Sequence, residues 1–175
     1  QEDYMEATLA VPPAAVAELL AVSATAEKTQ EFAVPESFPR RIVGPAYLGH
    51  LDVSPLTETA AADQRQHWWR FRGRRIRTED RDLIRLTGQS HIAATAKVGD
   101  HAVTLQWQGY VEISDGRAVT LEMLGRGHET LRWGDPGMRL TTESAARHLM
   151  AGHPIALDTP VVYGISTRAS ATPTR

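Results

Sequence analysis

Val103-Thr104-Leu105-Gln106-Trp107-Gln108-Gly109-Tyr110-Val111-Glu112-Ile113 alternates without a break: odd positions are apolar or glycine, and even positions carry a polar group. A period of two sustained over that length is a β-strand with two unlike faces. Ser114-Asp115-Gly116 suits a three-residue hairpin loop with glycine at the left-handed position. Closing there pairs Ile113 with Arg117, Val111 with Val119 and Trp107 with Met123, and on the other face Tyr110 with Thr120 and Gln108 with Glu122. Gly99-Asp100 suits a two-residue loop that pairs Ala96 with Val103, Ala94 with Leu105 and Ile92 with Trp107. Both closures set apolar against apolar, and a one-residue slip in either would bury a polar set. Residues 92–126 therefore read as a three-stranded antiparallel meander.

Outside the meander, Pro12-Pro13 followed by an Ala/Val/Leu run predicts a helix from Pro13 to about Ala26, with proline tolerated in its first turn. Residues 1–36 carry seven acids and one lysine and form an acidic helical arm. Residues 37–66 are proline-rich and read as loop, with one strand near Tyr47–Val53. His67–Arg72 and Asp82–Gly88 read as strands, separated by a charged loop over Arg74–Arg81. Glu129–Trp133 reads as a short strand, Gly134-Asp135-Pro136-Gly137 as a turn, and Glu143–Ala151 as a short helix capped by Thr142. Val161–Ser166 is the last strand within a main sheet spanning 67–166, and 167–175 a frayed tail. The expected fold is mainly all-β: one antiparallel β-barrel of about seven to nine strands with an N-terminal helix and a short late helix.

Composition places the chain among ordinary globular domains, at 42% hydrophobic and 23% charged, with 175 residues sufficient for one domain. With no cysteine, disulfide and thiolate chemistry are excluded. A net charge of −2 gives no global pull toward nucleic acid or membrane, no apolar run is long enough to span a bilayer, and a cytoplasmic location is expected. No HxH, HExxH, P-loop or GxSxG spacing occurs, so neither a metal nor a cofactor is expected.

Two arrangements of the meander compete. In one, the apolar face fills the interior and the Gln/Tyr/Glu face meets water. In the other, Gln106, Gln108, Tyr110 and Glu122 line a lumen, where a few hydrogen-bonding groups in an aromatic wall make a small-molecule site. The second gives the functional expectation. Tyr110, Glu122 and His128 are the catalytic candidates, with Glu122 or His128 moving a proton. Trp69, Gln106, Trp107, Gln108, Met123 and Trp133 are the substrate-binding candidates. The reaction expected is a cofactor-independent cyclisation or isomerisation of a small apolar molecule, in bacterial secondary metabolism. A non-catalytic carrier or sensor with the same pocket is the alternative. Eight arginines between 65 and 85, with Trp68, Trp69 and Phe71 among them, also allow a nucleic-acid module. Nucleic acid ranks below a small ligand as partner, and a homodimer remains open.

The Asp115-Gly116 hairpin, Gly125, the run Ala151-Gly152-His153-Pro154 and the Tyr163 strand resemble small, functionally unassigned calycin-like β-barrel proteins. The plan is also similar in architecture to barrel-shaped polyketide cyclases. The resemblance implies a barrel around a ligand and assigns no catalytic residue.

Overall fold

The structure is a computed structural model that describes residues 12–26, 30–46, 65–96, 99–133 and 155–167. Its elements are α1 (Pro13–Thr25), β1 (Glu31–Ala33), α2 (Ser37–Ala46), β2 (Arg65–Arg77), β3 (Asp82–Ala96), β4 (Gly99–Ser114), β5 (Arg117–Trp133) and β6 (Ile155–Ser166). The strands form one antiparallel sheet in chain order, β1-β2-β3-β4-β5-β6. The mainly-β expectation holds. The described strands form one sheet of six that is not closed, so a barrel of seven to nine strands is not shown among the described residues, and pieces expected as separate strands are continuous. Asp82–Gly88 runs on into the first meander strand as β3, and Glu129–Trp133 is the far half of β5. The charged loop shrinks to Thr78–Arg81, since Arg74–Arg77 belong to β2.

Both hairpins differ from their expected closures. Asp115 and Gly116, at φ 51° and 73°, form a two-residue loop closed by Ser114 and Arg117. Positive φ at both central positions suits the right-handed twist of the flanking strands. A bulge follows, so Val111 faces Leu121 rather than Val119, and Val119 is turned out to solvent. At the other hairpin Ala96 pairs with Gly99, so Ile92 faces Val103 rather than Trp107.

The apolar face of the sheet is covered by two helices. Ala15, Leu19 and Ser23 form the buried stripe of α1, and Phe38, Ile42 and Val43 that of α2. They pack over Phe71, Ile84, Leu86, Val103, Leu105, Trp107 and their neighbours as one core. The loop expected across residues 37–46 is thus a helix. Pro39 lies in its first turn, where a missing N–H breaks no intrahelical bond, and Phe38 with Ile42 at i, i+4 supplies the apolar stripe. The strand expected near Tyr47–Val53 and the helix at 143–151 lie outside the described residues.

At the end of the sheet beneath α1, Arg75 grips Asp82 with two bonds of 2.9 and 2.6 Å, and Arg77 adds a third at 3.3 Å. The guanidinium of Arg75 holds the Asp82 carboxyl below the usual range. Thr167 closes the same end, where Leu121 N–H donates to its hydroxyl at 2.8 Å and its own N–H donates to the Leu121 carbonyl at 2.9 Å.

Candidate functional site

The face of the sheet turned away from the helices is open. Register builds it rung by rung. One rung runs Trp68, His91, Thr104, His128 and Pro160 across β2 to β6. The next runs Arg70, Gln89, Gln106, Arg126 and Val162. Farther along lie Gln108, then Tyr110 beside Glu122. Gln106, Gln108 and Glu122 are exposed. The alternating segment therefore takes the first of its two arrangements, apolar side buried and polar side in solvent, and these residues line no enclosed lumen among the described residues.

Neighbours on this face hold one another in place. The Tyr110 hydroxyl donates to Glu122 at 2.7 Å, and this bond is the main reason that the Tyr110 pKa rises. Gln89 Nε2 donates to Gln106 Oε1 at 3.2 Å. His91 Nδ1 lies 2.8 Å from the Thr104 hydroxyl, and His128 Nδ1 lies 2.6 Å from Asp158. His128 sits inside β5, not on a barrel rim, and more than half of its side chain is exposed. Trp68 stacks on His91 with centroids 5.8 Å apart, and the Arg70 guanidinium lies 5.3 Å from its ring.

The aromatic wall expected from four tryptophans is divided between the two faces. Trp68 is on the open side, 39% exposed. Trp107 is buried in the core, its Nε1 donating to Ser90 at 2.8 Å. Met123 is buried beside it on the same face. Trp69 is partly buried on the helix-covered face. Trp133 ends β5 opposite Gly99 and Ile155, and the wall expected of its side chain lies outside the described residues.

A groove of about 810 Å³ lies where β1 stops. The last tie of that chain to β2 is Val34 N–H to the Phe71 carbonyl at 3.0 Å. Phe32, Trp69 and Phe71 give the groove apolar surface, and Arg70, Arg72, Gln89, Gln106, Glu31 and Glu36 give it polar groups. Two expected ligand-binding residues, Trp69 and Gln106, thus share one concavity. Trp69 Nε1 is buried and has no hydrogen-bond partner among the described residues. Arg72 is paired with Glu31 at 3.2 Å, and both side chains are mostly in solvent.

The buried face holds a polar cluster that the sequence reading missed. His101 Nε2 and Glu129 Oε1 are 2.6 Å apart, with side chains 2% and 5% exposed. Glu129 also acts on Tyr163. Burial first, and the Glu129 charge second, push the Tyr163 hydroxyl far above its ordinary range, so it stays protonated. Tyr163 lies opposite Gly125, whose missing side chain leaves room for the Trp107 ring from β4. The cluster ties β4, β5 and β6 together within an apolar layer.

No described helix is long and apolar enough to cross a membrane. Among the described residues no group of three or more His, Asp or Glu side chains could hold a metal ion. Protein-family models, curated proteins and solved structures give no match to this chain.

Proposed function

We propose that this protein is a non-catalytic binder, a carrier or sensor, that holds an acidic ligand in the groove at the end of β1. The observation that carries the reading is one concavity joining Arg70 and Arg72 to Phe32, Trp69 and Phe71. Its volume lies within the span of ordinary ligand sites, roughly 300–1,000 Å³. A guanidinium fork matches a carboxylate, sulfonate or phosphate with paired bonds. The aromatic side chains offer a surface for a ring or hydrocarbon face. A ligand acceptor that reaches Trp69 Nε1 would satisfy a group whose burial unpaired costs about 1–3 kcal/mol. Such a lining suits an amphipathic anion better than the wholly apolar molecule expected from sequence. The cyclase or isomerase role of Tyr110, Glu122 and His128 draws no support from their solvent-facing positions. Nor does this ligand need a closed barrel, because the groove forms at an edge of the sheet.

A small aromatic carboxylate, titrated against tryptophan fluorescence, tests the reading. Arg70→Ala should weaken binding about tenfold, a loss of roughly 1.4 kcal/mol, and leave the melting temperature unchanged because Arg70 is solvent-exposed. Absence of binding, or equal binding by the variant, would end the reading.

A further inference from the structure

We propose that the acidic ligand is a polysaccharide chain that leaves the groove and runs across the open face from β2 toward β5. The inference rests on the groove reading and names its ligand class. Arg70 and Arg72 lie in the groove. Arg126 follows on the Arg70 rung, and Arg74 and Arg85 lie farther along the strands. All five arginines are exposed. The three acids among these rungs are engaged: Glu31 with Arg72, Asp158 with His128 and Glu122 with Tyr110. Along these rungs five arginines thus stand against three carboxylates, an excess of two, on a chain of net charge −2.

Residue type narrows the polymer. Between the outlying cations, the surface is amide and hydroxyl: Gln89, Gln106, Gln108, Thr104 and Tyr110. Such groups donate and accept, which suits a ligand dense in hydroxyls. Among the described residues Trp68 is the large exposed aromatic of this face, with Arg70 and His91 packed beside its ring. A single-stranded nucleic acid takes much of its affinity from successive bases stacked on several aromatic side chains, and this face offers mainly one. A sugar ring needs one such surface, with guanidinium forks for its carboxylate or sulfate. Strands about 4.8 Å apart put Arg70 and Arg126 roughly 14 Å from each other, so contacts to both require a chain.

The test uses the intact protein and four probes: the small aromatic carboxylate, polygalacturonate fragments of increasing length, a neutral glucan, and an oligothymidylate of matched charge. Affinity should rise with fragment length and exceed that for the glucan. Arg126→Ala lies outside the groove; it should weaken long fragments at least fivefold and leave the small carboxylate unaffected, with an unchanged melting curve, and Trp68→Ala, which removes the ring beside Arg70, should also weaken long fragments at least fivefold. If the small carboxylate binds but longer fragments bind no tighter than short ones, the polysaccharide assignment falls and the groove reading stands. If oligothymidylate binds more tightly than the matched fragment, the face belongs to nucleic acid and the assignment also falls. If no probe binds, both readings fall together.

Discussion

His101 and Glu129 occupy positions where charge is expensive, and their bond makes them tolerable there. Removing either one takes away the 2.6 Å bond between them while the other keeps its desolvation cost. Breaking such a buried pair typically costs about 3–5 kcal/mol. His101→Ala and Glu129→Ala should each destabilise by that order in urea unfolding, and the double variant by much less than their sum. Additive losses would show that the two side chains do not act as a unit. Asp82 is the second ionic anchor, and its contribution depends on pH. Its folded pKa is lowered by Arg75, so its stabilisation is complete above the unfolded carboxyl value of about 3.9 and is lost as pH falls through the lower folded value. Asp82→Asn should therefore cost about 1–2 kcal/mol at pH 7, with the gap to the parent closing in strong acid. A gap that stays constant from pH 7 to pH 2 would refute that account.

The long strands depend on close approach as much as on alternation. Gly127 sits opposite Leu105 on β4, and a Cβ there would come 1.8 Å from the Thr104 carbonyl oxygen. Gly127→Ala should lower stability by roughly 1–3 kcal/mol through forced separation of β4 and β5, read as a lower urea midpoint. An unchanged midpoint would mean that the strands yield without strain. Alternation explains why the faces were legible while the partners were not. It fixes which residues share a side of a strand, neither which of the two sides is buried nor which rung it meets. At β4–β5 the shorter loop and the bulge each moved the pairing by one residue. Together they moved Val111 from Val119 to Leu121, which lie on the same side in an unbulged register. At β3–β4 the shift carried Ile92 from Trp107 to Val103, again without changing face. Both are even displacements, to which a pattern of period two is blind. Reading Gly99-Asp100 as a turn also hid His101, whose odd position continues the buried series 103, 105, 107. Glu129 was hidden by ending the third meander strand at Arg126 and starting a separate strand at Glu129, where β5 is continuous. The prolines at 39 and 45 masked α2, because their positions within a helix matter more than their number.

One sheet with helices on one side and solvent on the other should not open all at once. β4 is paired along its length on both sides, by β3 and by β5. β1 contributes three residues, all paired to β2, and β6 is paired to β5. Each edge strand thus has hydrogen bonds on one side only within the described sheet. Local opening free energies follow such differences in pairing and burial. Native-state hydrogen exchange should find the slowest amides in β4 and the adjoining halves of β3 and β5, near the global unfolding limit, and markedly faster exchange in β1. The groove makes this prediction bear on function. Its wall is β1, and the amide of Val34 is the last to bond β2. A ligand seated between Phe32 and Arg70 stabilises the closed arrangement of that wall by mass action, by about 2.7 kcal/mol at a hundred times its dissociation constant. Saturating acidic ligand should therefore slow the Phe32 and Val34 amides about a hundredfold while β4 amides, if they exchange only by global unfolding, slow by the same factor. Slowing confined to β6 would place the ligand on the other edge, and exchange in β1 as slow as in β4 without ligand would show a sheet that opens as one unit.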